Sequence, residues 1–111
     1  MSNQIPDDAN GDVLRRFIDS GDNLTEPRNV EFNHLFRRRS WALNFAKAVK
    51  DKVYTVAISY FEEEDGWDAN VTIYMVPEHS EISRIESDLG IIADSCNGRS
   101  DGWLAQAIID K

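Results

Sequence analysis

Apolar and polar residues alternate between Arg28 and Phe36, with Val30, Phe32, His34 and Phe36 on one side and Glu31, Asn33 and Leu35 on the other. A two-residue period predicts a strand with one buried face. Upstream, Val13, Leu14, Phe17 and Ile18 fall at helical spacing and predict a helix from about Asp7 to Ser20. Pro6 and the Asp7-Asp8 pair suit its N-terminus, and Gly21 is its natural stop. Asn10-Gly11 weakens the first turns, which leaves a later start at Gly11 or Asp12 open.

After Phe36 the period changes. Trp41, Ala42, Phe45, Ala46 and Val49 recur at helical spacing to about Lys52, with Ser40 as candidate N-cap. Val53–Phe61 and Trp67–Val76 are rich in β-branched and aromatic residues, and the acidic link Glu62-Glu63-Glu64-Asp65-Gly66 between them reads as a hairpin loop. Pro77 closes the second strand. Ile82, Ile85, Leu89, Ile92 and Cys96 then trace a helical stripe that stops near Asn97-Gly98. Trp103–Ile109 is apolar and fits either a short strand or a helical turn.

This order predicts an α+β, ferredoxin-like sandwich: a β-α-β-β-α core with an extra N-terminal helix and room for a short C-terminal strand. Tyr54, Val56, Ile58 and Tyr60, with Trp67, Ala69, Val71, Ile73 and Met75, are expected to face the helices. Thr55, Ala57, Ser59, Asn70, Thr72 and Tyr74 would form the opposite face, which can stay solvated or dock a partner.

A length of 111 residues suits one domain with one continuous core, and 41% hydrophobic with 29% charged residues is ordinary globular composition. Twelve basic against twenty acidic residues give a net charge of -8, which repels phosphate backbones and anionic membranes. Direct nucleic-acid binding is therefore not expected. No apolar run approaches the roughly 20 residues of a membrane span, and Met1–Asn10 lacks a signal-peptide pattern. A lone Cys96 has no internal disulfide partner and fits a reducing compartment, so a cytoplasmic location is expected.

The residues suggest no catalytic constellation, cofactor or metal site. His34 and His79 lie in different elements and Cys96 lacks a C-x-x-C partner. By strand parity His34 is a hydrogen-bonded histidine at a core edge, His79 an exposed first-turn residue, and Cys96 a small core residue. The Glu62–Asp65 link lacks the alternating ligands of an EF-hand loop, and neither a Walker A nor a G-x-G-x-x-G motif is present. Arg37-Arg38-Arg39 opposes a helix dipole, and it either grips an acidic segment or RNA phosphate or is a solvated loop. Trp103, after Asp101-Gly102, either closes the end of the core or presents a binding edge, with Gly102 permitting a tight turn.

Gly21-Asp22 after the first helix, Glu31-Phe32-Asn33-His34 in the first strand and Asp101-Gly102-Trp103 near the end occur in an order that resembles the regulator of ribonuclease E activity B family. Pro6-Asp7-Asp8, Asp12–Arg16 and the Met75–Pro77 strand exit are similar to that family as well, so the resemblance spans about Asp7 to Trp103. Leu104 departs from it, since a further glycine often follows the Asp-Gly-Trp of the family. The resemblance implies a small cytoplasmic α+β protein that is not an enzyme, needs no cofactor, and inhibits ribonuclease E by binding its C-terminal scaffold region. Partner contacts are expected at Glu62, Glu63, Glu64 and Asp65 for electrostatic steering, with Asp101 and Trp103 as an anchor, in a monomer or weak dimer without membrane partners. The alternative is a small-ligand-sensing ferredoxin-like regulatory domain, which a deep apolar pocket would favour.

Overall fold

The computed structural model describes residues 5–50 and 54–109. The alternating segment is strand β1 (Arg28–Phe36), and Val30, Phe32, His34 and Phe36 are all buried. β1 pairs along its whole length with β3 (Gly66–Met75), from Arg28 opposite Met75 to Phe36 opposite Trp67. On its other side lies β4 (Arg99–Ala105), and β2 (Thr55–Phe61) pairs with the far side of β3. The antiparallel order β2-β3-β1-β4 interleaves two β-α-β units: β3 lies between β1 and β2, and β1 between β3 and β4.

The crossovers are α2 (Arg39–Lys50) and α3 (His79–Ser95), which cover one face of the sheet together with the N-terminal α1 (Ala9–Asp19). Ala42, Phe45 and Val49 of α2, Ile82, Ile85, Leu89 and Ala93 of α3, and Leu14 of α1 fill the core over Val30, Phe32, Phe36, Ala69 and Val71. Ile92 and Cys96 continue the α3 stripe, half-buried at its edge. No described helix is long and apolar enough to cross a membrane.

Several boundaries differ from the sequence expectation. α1 starts at Ala9, before Gly11, because the Asp8 carboxylate caps it by accepting from the Gly11 N–H at 2.8 Å. Gly11 is there for closeness, since a Cβ would stand 1.9 Å from the Pro6 carbonyl oxygen. Ser40 is not the N-cap of α2: the helix already includes Arg39, and the Arg38 carbonyl accepts from Ala42 N–H at 3.3 Å. The expected end of α2 at Lys52 and start of β2 at Val53 lie outside the described residues. α3 ends as expected, with Asn97 left-handed at φ 66° and the Gly98 N–H bonded to the Ala93 carbonyl at 2.8 Å.

The largest revision concerns the C-terminal strand. It begins at Arg99, four residues before Trp103, and Gly102 serves no tight turn. Phe32 pairs with Trp103 but His34 with Ser100, so β4 carries one extra residue at a bulge where Gly102 adopts φ 87°. The bulge keeps Trp103 on the helical side. There its ring meets Phe17 edge-on at 6.5 Å and its Nε1 donates to Asn10 Oδ1 at 2.8 Å. Asn10 in turn donates to Ser83 and Glu86 of α3, so one amide joins α1, α3 and β4. His79 is not the exposed residue expected: it is half-buried, with Nε2 3.0 Å from both oxygens of the Asp8 cap.

Asp22 and Arg28 form an ion pair with side chains only 1% and 5% exposed. The guanidinium engages both carboxylate oxygens, and these also accept from the Leu24 N–H and the Ile108 N–H, each at 2.8 Å. Arg28 donates its other hydrogens to the carbonyls of Glu26 and Gln106. The Arg28 bond, followed by those backbone donors, holds the Asp22 carboxyl at about 2, against burial that pushes it up.

Replacing Asp22 by Asn strands a buried guanidinium and is expected to cost about 3 kcal/mol or more at neutral pH. Because the folded pKa lies below the unfolded one, the wild-type contribution is complete above about pH 4 and disappears as pH falls toward 2, a loss on the order of 2 kcal/mol. Urea unfolding of both proteins across that range should show their stabilities converging in acid. A constant gap would remove the ion pair as its cause.

Candidate functional site

Among the described residues, no helix or further strand covers the face of the sheet away from the helices. Rows of opposed residues cross it: Leu35 with Asp68, Asn33 with Asn70 and Glu31 with Thr72 on β1 and β3, continued by Ser59, Ala57 and Thr55 on β2. β4 adds Arg99 beside Leu35 and Leu104 beside Glu31. The Asn70 amide donates to Glu31 Oε1 at 2.9 Å and Asn33 Oδ1 at 2.8 Å, and its oxygen accepts from the Thr72 hydroxyl at 3.0 Å. This network holds the Glu31 carboxylate in place at the middle of the face. Tyr74 and Leu104, 69% and 50% exposed, add apolar surface.

The carboxylates are close enough to feel one another. Partial burial raises the Asp68 pKa first, and the charges of Asp101 and Glu31 raise it further. A cation brought near Asp68 would favour its charged form. The carboxylates do not converge into a ligand cage, and among the described residues no cluster of His, Cys, Asp and Glu has the geometry to hold a metal ion.

The expected contact residues fall into two places. Glu62, Glu63 and Glu64 form a 3-10 turn at the β2–β3 tip, and Asp65 is left-handed at φ 49° with its carboxylate accepting from the Tyr60 hydroxyl at 2.6 Å. Arg99 links this tip to β4, standing 3.9 Å from Glu64 and 3.3 Å from Asp101. An open cleft lined by Leu35, Arg37, Glu64, Asp65 and Arg99 marks that junction. Trp103 is not brought together with them, since it lies on the opposite side of the sheet holding α1. Glu31 and Asp68 were not among the expected contacts. Their outward strand parity was readable, but their proximity to Asp101 depends on the β1 register.

The remaining anomalies are absorbed by packing. Arg38 stacks over Trp41 at 5.4 Å and Arg39 over Trp67 at 5.7 Å, so much of the basic run lies on indole faces. His34 is buried against Phe45 at 4.7 Å, with Nδ1 3.3 Å from the Ala69 carbonyl oxygen. Burial lowers its pKa, which keeps the ring neutral in the core.

An antiparallel sheet covered by helices on one face and lined with carboxylates, amides and an exposed tyrosine on the other defines a class: a small α+β protein of two layers, helices on sheet. The model of one family, regulator of ribonuclease activity B, matches residues 7–104, and the chain belongs to that family. No match to a curated protein was found.

Neutralising Asp68 as Asn is expected to stabilise the protein at pH 7 by up to about 1 kcal/mol after solvent screening. The sign follows from the raised folded pKa: the penalty of charging Asp68 is complete above that value and absent below the unfolded value of 3.8. Thermal unfolding of both forms at pH 7 and near pH 3 should show the gain only at the higher pH. Trp103→Ala is expected to lose about 3 kcal/mol or more through the cavity it leaves. Full stability in that variant would contradict its role in holding α1.

Proposed function

We propose that this protein binds ribonuclease E and restrains its RNA processing, as an inhibitor and not as an enzyme. The observation that carries this reading is membership of the regulator of ribonuclease activity B family over residues 7–104. The uncovered acidic sheet face supports it physically. Glu31, Asp68 and Asp101 supply a negative surface for a basic segment, such as the scaffold region of the ribonuclease, while the net charge of -8 disfavours RNA itself. Glu62–Asp65 at the hairpin tip extends that field and steers the approach. The interleaved strand order supports a ferredoxin-like sandwich as the frame, a cytoplasmic location fits the role, and no cofactor is needed for it.

Calorimetric titration with full-length ribonuclease E, and with its catalytic half alone, tests the reading. Saturable binding that needs the scaffold region is expected, and heat from neither form would refute it. Glu31→Lys with Asp101→Lys should weaken binding by tenfold or more, with the difference growing at low salt. An unchanged affinity would take the open face out of the contact.

A further inference from the structure

The two edges of the sheet are built differently. β4 carries the Gly102 bulge and the charged Arg99 and Asp101, features that blunt an edge against further pairing. β2 reads Thr55-Val56-Ala57-Ile58-Ser59-Tyr60-Phe61, without charge, proline or glycine, in unbroken register with β3. Its residues are strong strand formers, and no described strand lies on its outer side.

This edge is complementary to itself. A two-fold axis at Ile58, the middle residue, places Ile58 opposite its own copy, Ala57 opposite Ser59, Val56 opposite Tyr60 and Thr55 opposite Phe61. Tyr60 is 51% exposed, with its ring edge-on to Trp67 at 5.4 Å. Val56 lines an open cleft of about 430 Å³ with Ala46, Lys47 and Tyr54. Antiparallel pairing therefore seats the exposed tyrosine of each copy on the cleft of the other. Leu43, 42% exposed, stands one helical turn before Lys47 and adds exposed apolar surface to α2.

Charge selects the direction. The Glu62–Glu64 turn stands at one end of β2, and Lys47 lies near the other, beside Tyr54 and Val56. Antiparallel pairing brings the acidic turn of each copy to the lysine end of its neighbour, whereas parallel pairing would set the acidic turns together.

We propose that β2 is a self-association edge, at which a second copy of this chain adds antiparallel to form a continuous sheet across two protomers. The axis runs perpendicular to the sheet, so both acidic open faces point the same way. An extended partner would then meet two such faces at once, which raises avidity without a new contact.

Sedimentation equilibrium of the full chain, from low to high micromolar concentration, tests the proposal. The expected mass rises to twice that of the chain. Ala57→Lys with Ser59→Lys, both on the exposed side of β2, sets like charges across the axis and should return the single-chain mass at every concentration with an unchanged circular dichroism spectrum. Tyr60→Ser should weaken the dimer about tenfold by emptying the cleft. A chain that stays monomeric throughout overturns the proposal, and so does a dimer indifferent to the lysines. A monomer whose β2 amides gain exchange protection only with ribonuclease E also overturns it, by assigning the edge to a strand of that partner.

Discussion

The Asp22–Arg28 pair is the constraint on which the sheet depends. Burying two charges costs several kcal/mol each unless their hydrogen-bonding capacity is met, and here it is met from separate parts of the chain. The loop after α1 supplies the Leu24 N–H and the Glu26 carbonyl, and the segment after β4 supplies the Gln106 carbonyl and the Ile108 N–H. Phe17 of α1 lies 6.0 Å from the guanidinium. The pair therefore satisfies its charges only when the exit of α1, the entry of β1 and the exit of β4 meet. Because β1 is central, fixing its entry also fixes the rows that cross to β3 and β4, and with them the spacing of Glu31, Asp68 and Asp101.

The two faces of this sheet answer to different requirements. On the helical side each inward residue of β1 finds an apolar neighbour, and even His34 is kept neutral among aromatic rings. On the open side Asn70 spends its amide on Glu31 and Asn33 and its oxygen on Thr72. A hydrogen-bonded row of this kind is tolerable in water and specific against a partner, because an apolar surface laid over it would leave those groups competing for fewer partners. Keeping carboxylates close on such a face opposes stability, a cost that the proposed binding role would account for.

Much of the fold was legible because its period is strong. β1 falls on the residues where the alternation runs, the acidic link is the β2–β3 hairpin, and the α3 stripe ends at Asn97-Gly98. Legibility failed where one residue answers to a distant one. Asn10 reads as a poor helical residue until Trp103, Ser83 and Glu86 are seen to use all of its amide, and Gly102 reads as a turn until β1 shows the extra residue opposite Asn33. The open face was half legible. Asn70, Thr72 and Tyr74 were placed outward by parity alone, and Asp101 was singled out by its neighbours, but the approach of Glu31 and Asp68 to Asp101 is a matter of register, which local pattern does not encode.

Charge is sorted between the two sides as well. Arg38 and Arg39 lie on tryptophan faces, Arg28 is consumed by Asp22, Arg15 by Asp12, and Arg84 by Glu81 and Asp88. Arg99 does reach toward the open face, but it is shared between Glu64 and Asp101. Asp101 is thereby partly neutralised, and Glu31 and Asp68, which no described ion pair engages, carry most of the remaining field of that face. A field of this kind acts beyond contact distance and favours cationic partners over phosphate chains. The Asn70 row, Tyr74 and Leu104 act only on contact, where shape and hydrogen bonding decide. Long-range attraction without short-range fit would capture any basic protein. Under the proposed binding role, the pairing of the two on one sheet would let a small acidic protein discriminate among basic partners.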